Sequence, residues 1–158
     1  MASIRSIKRN KKRHQFIDPY AEFEEELAHD PSFKDTHIVR NPRGEAKMSE
    51  VLETLVQPFE DFANTYEARK MLMTLGIAAW NVALLPTEEQ NKAIDDLLAA
   101  VEDVDKRDKE VMKDMIVTLI ARKQSLFADN KRYILSYKLT DQGNNWHLSV
   151  VSTPSKQP

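Results

Sequence analysis

Six cationic side chains lie close together near the start of the chain, in the stretch "IRSIKRNKKRHQ" (residues 4–15), which contains no carboxylate. The whole chain has a formal net charge of -2, so the 17 basic and 25 acidic side chains outside residues 1–14 balance to -8. Short runs rich in Lys and Arg are typical of segments that neutralise nucleic-acid phosphates, and such binding is insensitive to base sequence. The pattern predicts an arm that contacts RNA or DNA non-specifically through Arg5, Lys8, Arg9, Lys11, Lys12 and Arg13.

Patterns that would support catalysis or a cofactor are missing from the sequence. The chain has no Cys, and the three Gly residues stand far apart, so neither a thiolate site nor a glycine-rich phosphate loop is present. The four histidines are isolated: His14, His29, His37 and His147. We therefore expect no enzyme activity, no metal, no cofactor and no small-molecule substrate.

Paired carboxylates do occur, but their setting is that of a solvated helix surface. Acids and bases alternate around them, and no His or Lys in an apolar setting stands beside them to tune a pKa. We interpret them as surface charges: Asp95, Asp96, Glu102 and Asp103.

A second charged segment, residues 18–30, follows the arm with the opposite sign. Asp18 suits an N-cap, Pro19 suits the first helical position, and four glutamates follow at 22, 24, 25 and 26. The spacing of Tyr20, Phe23 and Leu27 predicts a short amphipathic helix with one apolar stripe. This stripe supports an alternative function, in which the helix docks in the groove of a protein partner without nucleic acid. A further alternative is that the arm pairs with the protein's own glutamates.

The middle of the chain shows helical periodicity throughout. Apolar spacing, a proline at 58 and cap residues predict four core helices at roughly 49–63, 65–85, 88–104 and 107–127. The second of these is apolar nearly all round, which predicts a central position, and Gly76 within it is expected to permit a close helix crossing. Residues 31–47 are interpreted as a linker in which 36–40 could form one short strand.

From residue 132 onward the apolar period changes from helical to two. This predicts a β-hairpin with strands 132–139 and 146–153 around a turn containing Gly143. We expect the face with Tyr133, Leu135, Tyr137 and Leu139 to pack on the helices. Two strands alone are barely stable, so a third could come from residues 36–40 or from a second copy of the chain.

These elements predict an α+β fold, mainly α, with five segments. They are a basic flexible arm at 1–17, an acidic amphipathic helix at 18–30, the linker, a helical domain with its hairpin at 48–153, and a tail at 154–158. The longest apolar run is shorter than a membrane span needs, so no membrane partner is expected. We expect a cytoplasmic, non-enzymatic accessory or regulatory protein whose helical domain binds a protein partner or itself. A ribosome or another nucleoprotein would offer both surfaces, and a nuclear or organellar location stays open.

Overall fold

The computed structural model describes residues 18–40, 44–143 and 145–154, and within these ranges it has an α+β fold dominated by helices. The basic arm, including all six predicted phosphate-contacting residues, lies outside the described residues. The helices are α1 (Pro19–Ala28), α2 (Met48–Val56), α3 (Tyr66–Ala83), α4 (Thr87–Ala100) and α5 (Lys106–Leu126), and the strands are β1 (Ile134–Asp141) and β2 (Trp146–Ser152). The predicted fold class is confirmed.

Backbone contacts divide the chain into two units. Among the described residues, the N-terminal unit contains 18–40, 138–143 and 145–149, so it combines α1 with the tip of the hairpin. The helical unit contains the described residues of 44–137 and 150–154, so it combines the remaining helices with the base of the hairpin.

Local sequence signals set the ends of the helices. The Asp18 side chain accepts a hydrogen bond from the Tyr20 backbone N–H and caps α1, with Pro19 in its first turn. Thr65 caps α3 in the same way, by accepting from the Ala68 N–H. The first core helix is shorter than predicted, because Pro58 opens a 3-10 segment, Gln57–Phe62, directly after α2. Phe62 lies on that segment and is 83% exposed.

The core of the helical unit is centred on α3, as its apolar sequence predicts. Trp80 and Ala79 on α3 are fully buried, as are Leu52 and Leu55 on α2 and Leu119 on α5. At Gly76 an added Cβ atom would lie 2.7 Å from Val56 Cγ1, so the glycine does permit the close crossing of α2 and α3. On α5 Val111 is exposed, whereas Ile116, Leu119 and Ile120 are buried.

The C-terminal hairpin forms one two-stranded sheet, and Gly143 in its turn has the positive φ (90°) that the turn requires. The predicted inward face is wrong at the base of the hairpin, where Leu135 is 49% exposed and Ile134 is buried. Ile134 and Leu139 are both buried although they lie on opposite faces of β1, so alternation alone could not identify the inward face. Residues 36–40 form no strand, so they add nothing to this sheet.

Candidate functional site

The N-terminal end of α1, where the basic arm joins the described part of the chain, is held by Arg40. The Arg40 guanidinium lies 3.1 Å from the Asp18 carboxylate and also donates to the Glu24 carboxylate. The same guanidinium lies 5.6 Å from the centre of the Tyr20 ring, within range of a cation–π interaction. Hydrogen bonding to Glu24, followed by the contact with Asp18, raises the pKa of Arg40, so this group stays cationic.

A second cation, Lys138 on β1, lies against the next turns of α1. Its ammonium group is 3.1 Å from the Glu22 carboxylate and also donates to Glu26. These contacts, the one to Glu26 first, raise the pKa of Lys138. The acidic helix thus has fixed cationic partners for three of its four glutamates, and among the described residues Glu25 is the one without such a partner.

The three residues predicted to dock on a partner have mostly internal environments. Phe23 is 6% exposed and Leu27 is 3% exposed. Tyr20 is half-buried, and its ring meets the His147 ring edge-on at a centroid distance of 4.8 Å. Docking through this stripe stays a prediction, and it requires α1 to expose two buried side chains.

The paired carboxylates of α4 lie among cations at the surface. Asp96 accepts from Lys92 at 2.9 Å, and the Lys113 ammonium is 3.5 Å from Asp95. Glu102 and Asp103 are exposed, in the loop between α4 and α5. Among the described residues, no group of three or more His, Cys, Asp or Glu is placed so that it could hold a metal ion. Within the same residues, no helix combines the length and the apolar character that crossing a membrane needs.

The helical unit contains a buried cation that the sequence analysis did not single out, Lys123 on α5. Only 2% of this residue is exposed. Its ammonium group donates to the carbonyl oxygens of Phe127 (2.8 Å) and Asn130 (2.7 Å) and lies 4.9 Å from the centre of the Trp80 ring. All of these partners are neutral, and they tie the last turn of α5 to the loop that follows it.

Arg132 is the second buried cation, and it connects four separate backbone segments. Its guanidinium donates to the carbonyl oxygens of Thr153 (2.7 Å) and Ala46 (2.8 Å) and lies 3.2 Å from the Glu45 carboxylate. Its own carbonyl oxygen accepts a 2.7 Å hydrogen bond from the Trp80 indole N–H. These contacts engage all three guanidinium nitrogens within the protein, so we interpret Arg132 as structural.

Asn81 on α3, adjacent to Trp80, completes this polar cluster. Its amide accepts from the Ile134 N–H (3.0 Å) and donates to the Ile134 carbonyl oxygen (2.9 Å), as a neighbouring strand would. This geometry gives Asn81 a structural role, because it aligns the start of β1 with α3. Lys123, Arg132 and Asn81 together attach the base of the hairpin to the helices.

Lys123 gives a prediction about the pH dependence of stability. Burial lowers the pKa of Lys123, the nearby Lys131 charge adds to this effect, and Asp129 opposes it. Because the unfolded chain then holds this proton more tightly, the contribution of Lys123 to folding should grow as pH rises from its folded pKa towards 10.5. We expect the free energy of unfolding of the wild type, relative to that of a Lys123→Met variant, to increase between pH 7.5 and pH 10 in urea titrations.

The difference from the variant is the quantity to measure, because it cancels the titration of every other group. Lys92→Met provides a matched control, since Lys92 is an exposed lysine on α4. If the difference in free energy of unfolding between wild type and Lys123→Met shrinks as pH rises, burial does not lower the pKa of Lys123.

The chain was compared with protein-family models, with curated proteins and with solved structures, and none of these matches it.

Proposed function

We propose that this protein is a non-enzymatic accessory factor whose basic arm binds RNA or DNA through phosphates while the helical domain binds a protein partner. One observation carries the proposal: six cations and no carboxylate fall within residues 1–14 of a chain whose remainder has a formal balance of -8. Such segregation creates a local positive field that attracts polyanions in spite of the negative total. A cytoplasmic nucleoprotein such as the ribosome remains the proposed setting.

The main competing account has the arm folding back onto the glutamates of α1. Glu22, Glu24 and Glu26 already have a cationic partner in Lys138 or Arg40. The arm would have to displace those contacts and then order its own backbone. The occupied carboxylates therefore favour an outward-reaching arm.

Stacking of a nucleic-acid base on the Tyr20 ring contributes little to the proposed binding. That ring is engaged by the Arg40 guanidinium and by the edge of His147, so it is not free to stack on an unpaired base. We therefore expect the arm to act mainly through charge and to prefer polyanions by phosphate density, with little preference for base identity.

The test is a salt titration of binding to a labelled 20-nucleotide duplex and to a single strand of the same length, measured by fluorescence anisotropy. If about six phosphates are neutralised, affinity for duplex DNA should fall roughly 10³-fold between 50 and 200 mM salt. Lys8, Arg9 and Lys11 replaced together by Gln should weaken binding at 100 mM salt by about 100-fold.

A matched variant separates local from global charge. Lys106, Arg107 and Lys131 are exposed cations of the helical unit, and replacing all three by Gln changes the net charge by the same amount. This variant should bind nearly as the wild type does. Equal losses in the two variants, or binding that survives deletion of residues 2–14, would exclude the arm as the contact surface.

A further inference from the structure

The fastening of helix α1 within the N-terminal unit points to a conformational device. Two cationic side chains hold the helix: Arg40 bridges Asp18 and Glu24, and Lys138 bridges Glu22 and Glu26. We call this arrangement the latch. The carboxylates in it have side-chain exposures between 40% and 56%, so water and salt reach every ion pair.

Among the residues that the structure describes, the remaining contacts that hold α1 are few. Tyr20 contributes one edge-on aromatic contact with His147, and the helix buries two large apolar side chains, Phe23 and Leu27. The helix has 10 residues, which is below the length at which an isolated helix is stable in water. Once its fastenings are released, α1 is therefore expected to unfold as well as detach.

The helical unit is built differently, because two of its cations make their polar contacts at buried positions. Lys123 and Arg132 make their contacts at 2% and 7% exposure, and its core contains fully buried Trp80 and Leu119. Elements with few buried contacts and exposed ion pairs occupy the low end of the range of local opening free energies. Screening by salt weakens exposed pairs much more than buried ones.

We propose that α1 is a salt-sensitive latch that opens while the helical unit stays folded, and that its opening exposes Phe23 and Leu27. In the closed state these two side chains are hidden from any partner. In the open state they are available in a segment that joins the basic arm directly. The inference does not depend on nucleic-acid binding, because every contact in the latch lies among the described residues.

Cysteine labelling provides a direct test, since the chain has no Cys of its own. Leu27→Cys places a thiol in α1 and Leu119→Cys places one in the core of α5, both at buried positions. We expect the thiol introduced by Leu27→Cys to react with a thiol reagent at least tenfold faster than the other. Its rate should also increase as NaCl rises from 0.05 to 1 M, while the Leu119→Cys rate does not.

A second measurement avoids any damage caused by Leu27→Cys. Lys138→Met removes one of the two cations of the latch but keeps most of the alkyl stem. Hydrogen exchange of the 19–28 peptide should then become about three- to tenfold faster. Lys92→Met removes a more exposed ion pair on α4, outside the latch, and should leave that peptide unchanged. Exchange of the α3 peptide should be unchanged in both variants.

Two outcomes would overturn the proposal. In one, the α1 peptide exchanges only as fast as the α3 peptide, which means that α1 opens only when the whole protein unfolds. In the other, α1 exchanges fast but responds neither to salt nor to Lys138→Met, which means that the ion pairs do not control it.

Discussion

Replacement of Arg132 by methionine is expected to lower the free energy of unfolding by about 3–5 kcal/mol. The measurement is a urea titration followed by tryptophan fluorescence, to which Trp80 contributes; its indole N–H donates to the carbonyl oxygen of residue 132. A loss of this size is a large part of the total stability of an ordinary domain.

The expected loss comes from the groups that the guanidinium now satisfies. Without it, the Glu45 carboxylate loses one ion-pair partner, and the carbonyl oxygens of Ala46 and Thr153 each lose a donor. Unpaired buried polar groups cost more than their hydrogen bonds contribute when intact. The chain near residue 45 and the end of the hairpin should therefore loosen together.

Arg122→Met is the matched control, because Arg122 also donates to two backbone carbonyl oxygens. Its partners are Leu55 and Thr54 at the end of α2, at 2.9 Å each, in a more exposed setting and without a carboxylate. We expect a loss of about 1–2 kcal/mol there. Equal losses in the two variants would show that the buried ion pair with Glu45 adds nothing.

The helices could be predicted from the sequence because their signals are local. Asp18 and Thr65 accept hydrogen bonds within three residues of themselves, and the apolar spacing of α2 and α5 is visible in short windows. The ion pairs between α1 and β1 were not predictable in this way, because partners such as Lys138 and Glu26 lie 112 residues apart. The prediction of the hairpin's inward face was wrong for the same reason.

The buried cations show a similar contrast. Lys123 could have been found, since it continues the inward stripe of Ile116, Leu119 and Ile120 at helical spacing. Arg132 gives no such signal, because it precedes a strand and its partners come from residues 45, 46 and 153. The apolar stripe of α1, formed by Tyr20, Phe23 and Leu27, was predicted from its spacing. Amphipathic spacing alone does not distinguish a contact within the protein from a contact with a partner.

The crossing of α2 and α3 at Gly76 gives the second large prediction. Gly76→Ala adds a methyl group whose carbon would lie 2.7 Å from Val56 Cγ1 and 3.2 Å from Leu52 Cδ1. Overpacking of this kind costs about 1–3 kcal/mol, whereas Ala is favoured over Gly inside a helix by about 1 kcal/mol. We expect a net destabilisation of up to about 2 kcal/mol, measured by urea titration.

The effect of Gly76→Ala on the free energy of unfolding should change sign when Val56 is shortened. Val56→Ala alone removes fully buried methyl groups and should cost about 2 kcal/mol. In that background the closest obstacle is gone and the flexible end of Leu52 remains, so Gly76→Ala should now stabilise by about 1 kcal/mol through helix propensity. Val82→Ala, about 9 Å further along α3, is the control background in which the two changes should simply add. If Gly76→Ala has the same effect in all three backgrounds, the contact with Val56 does not limit how closely the two helices approach.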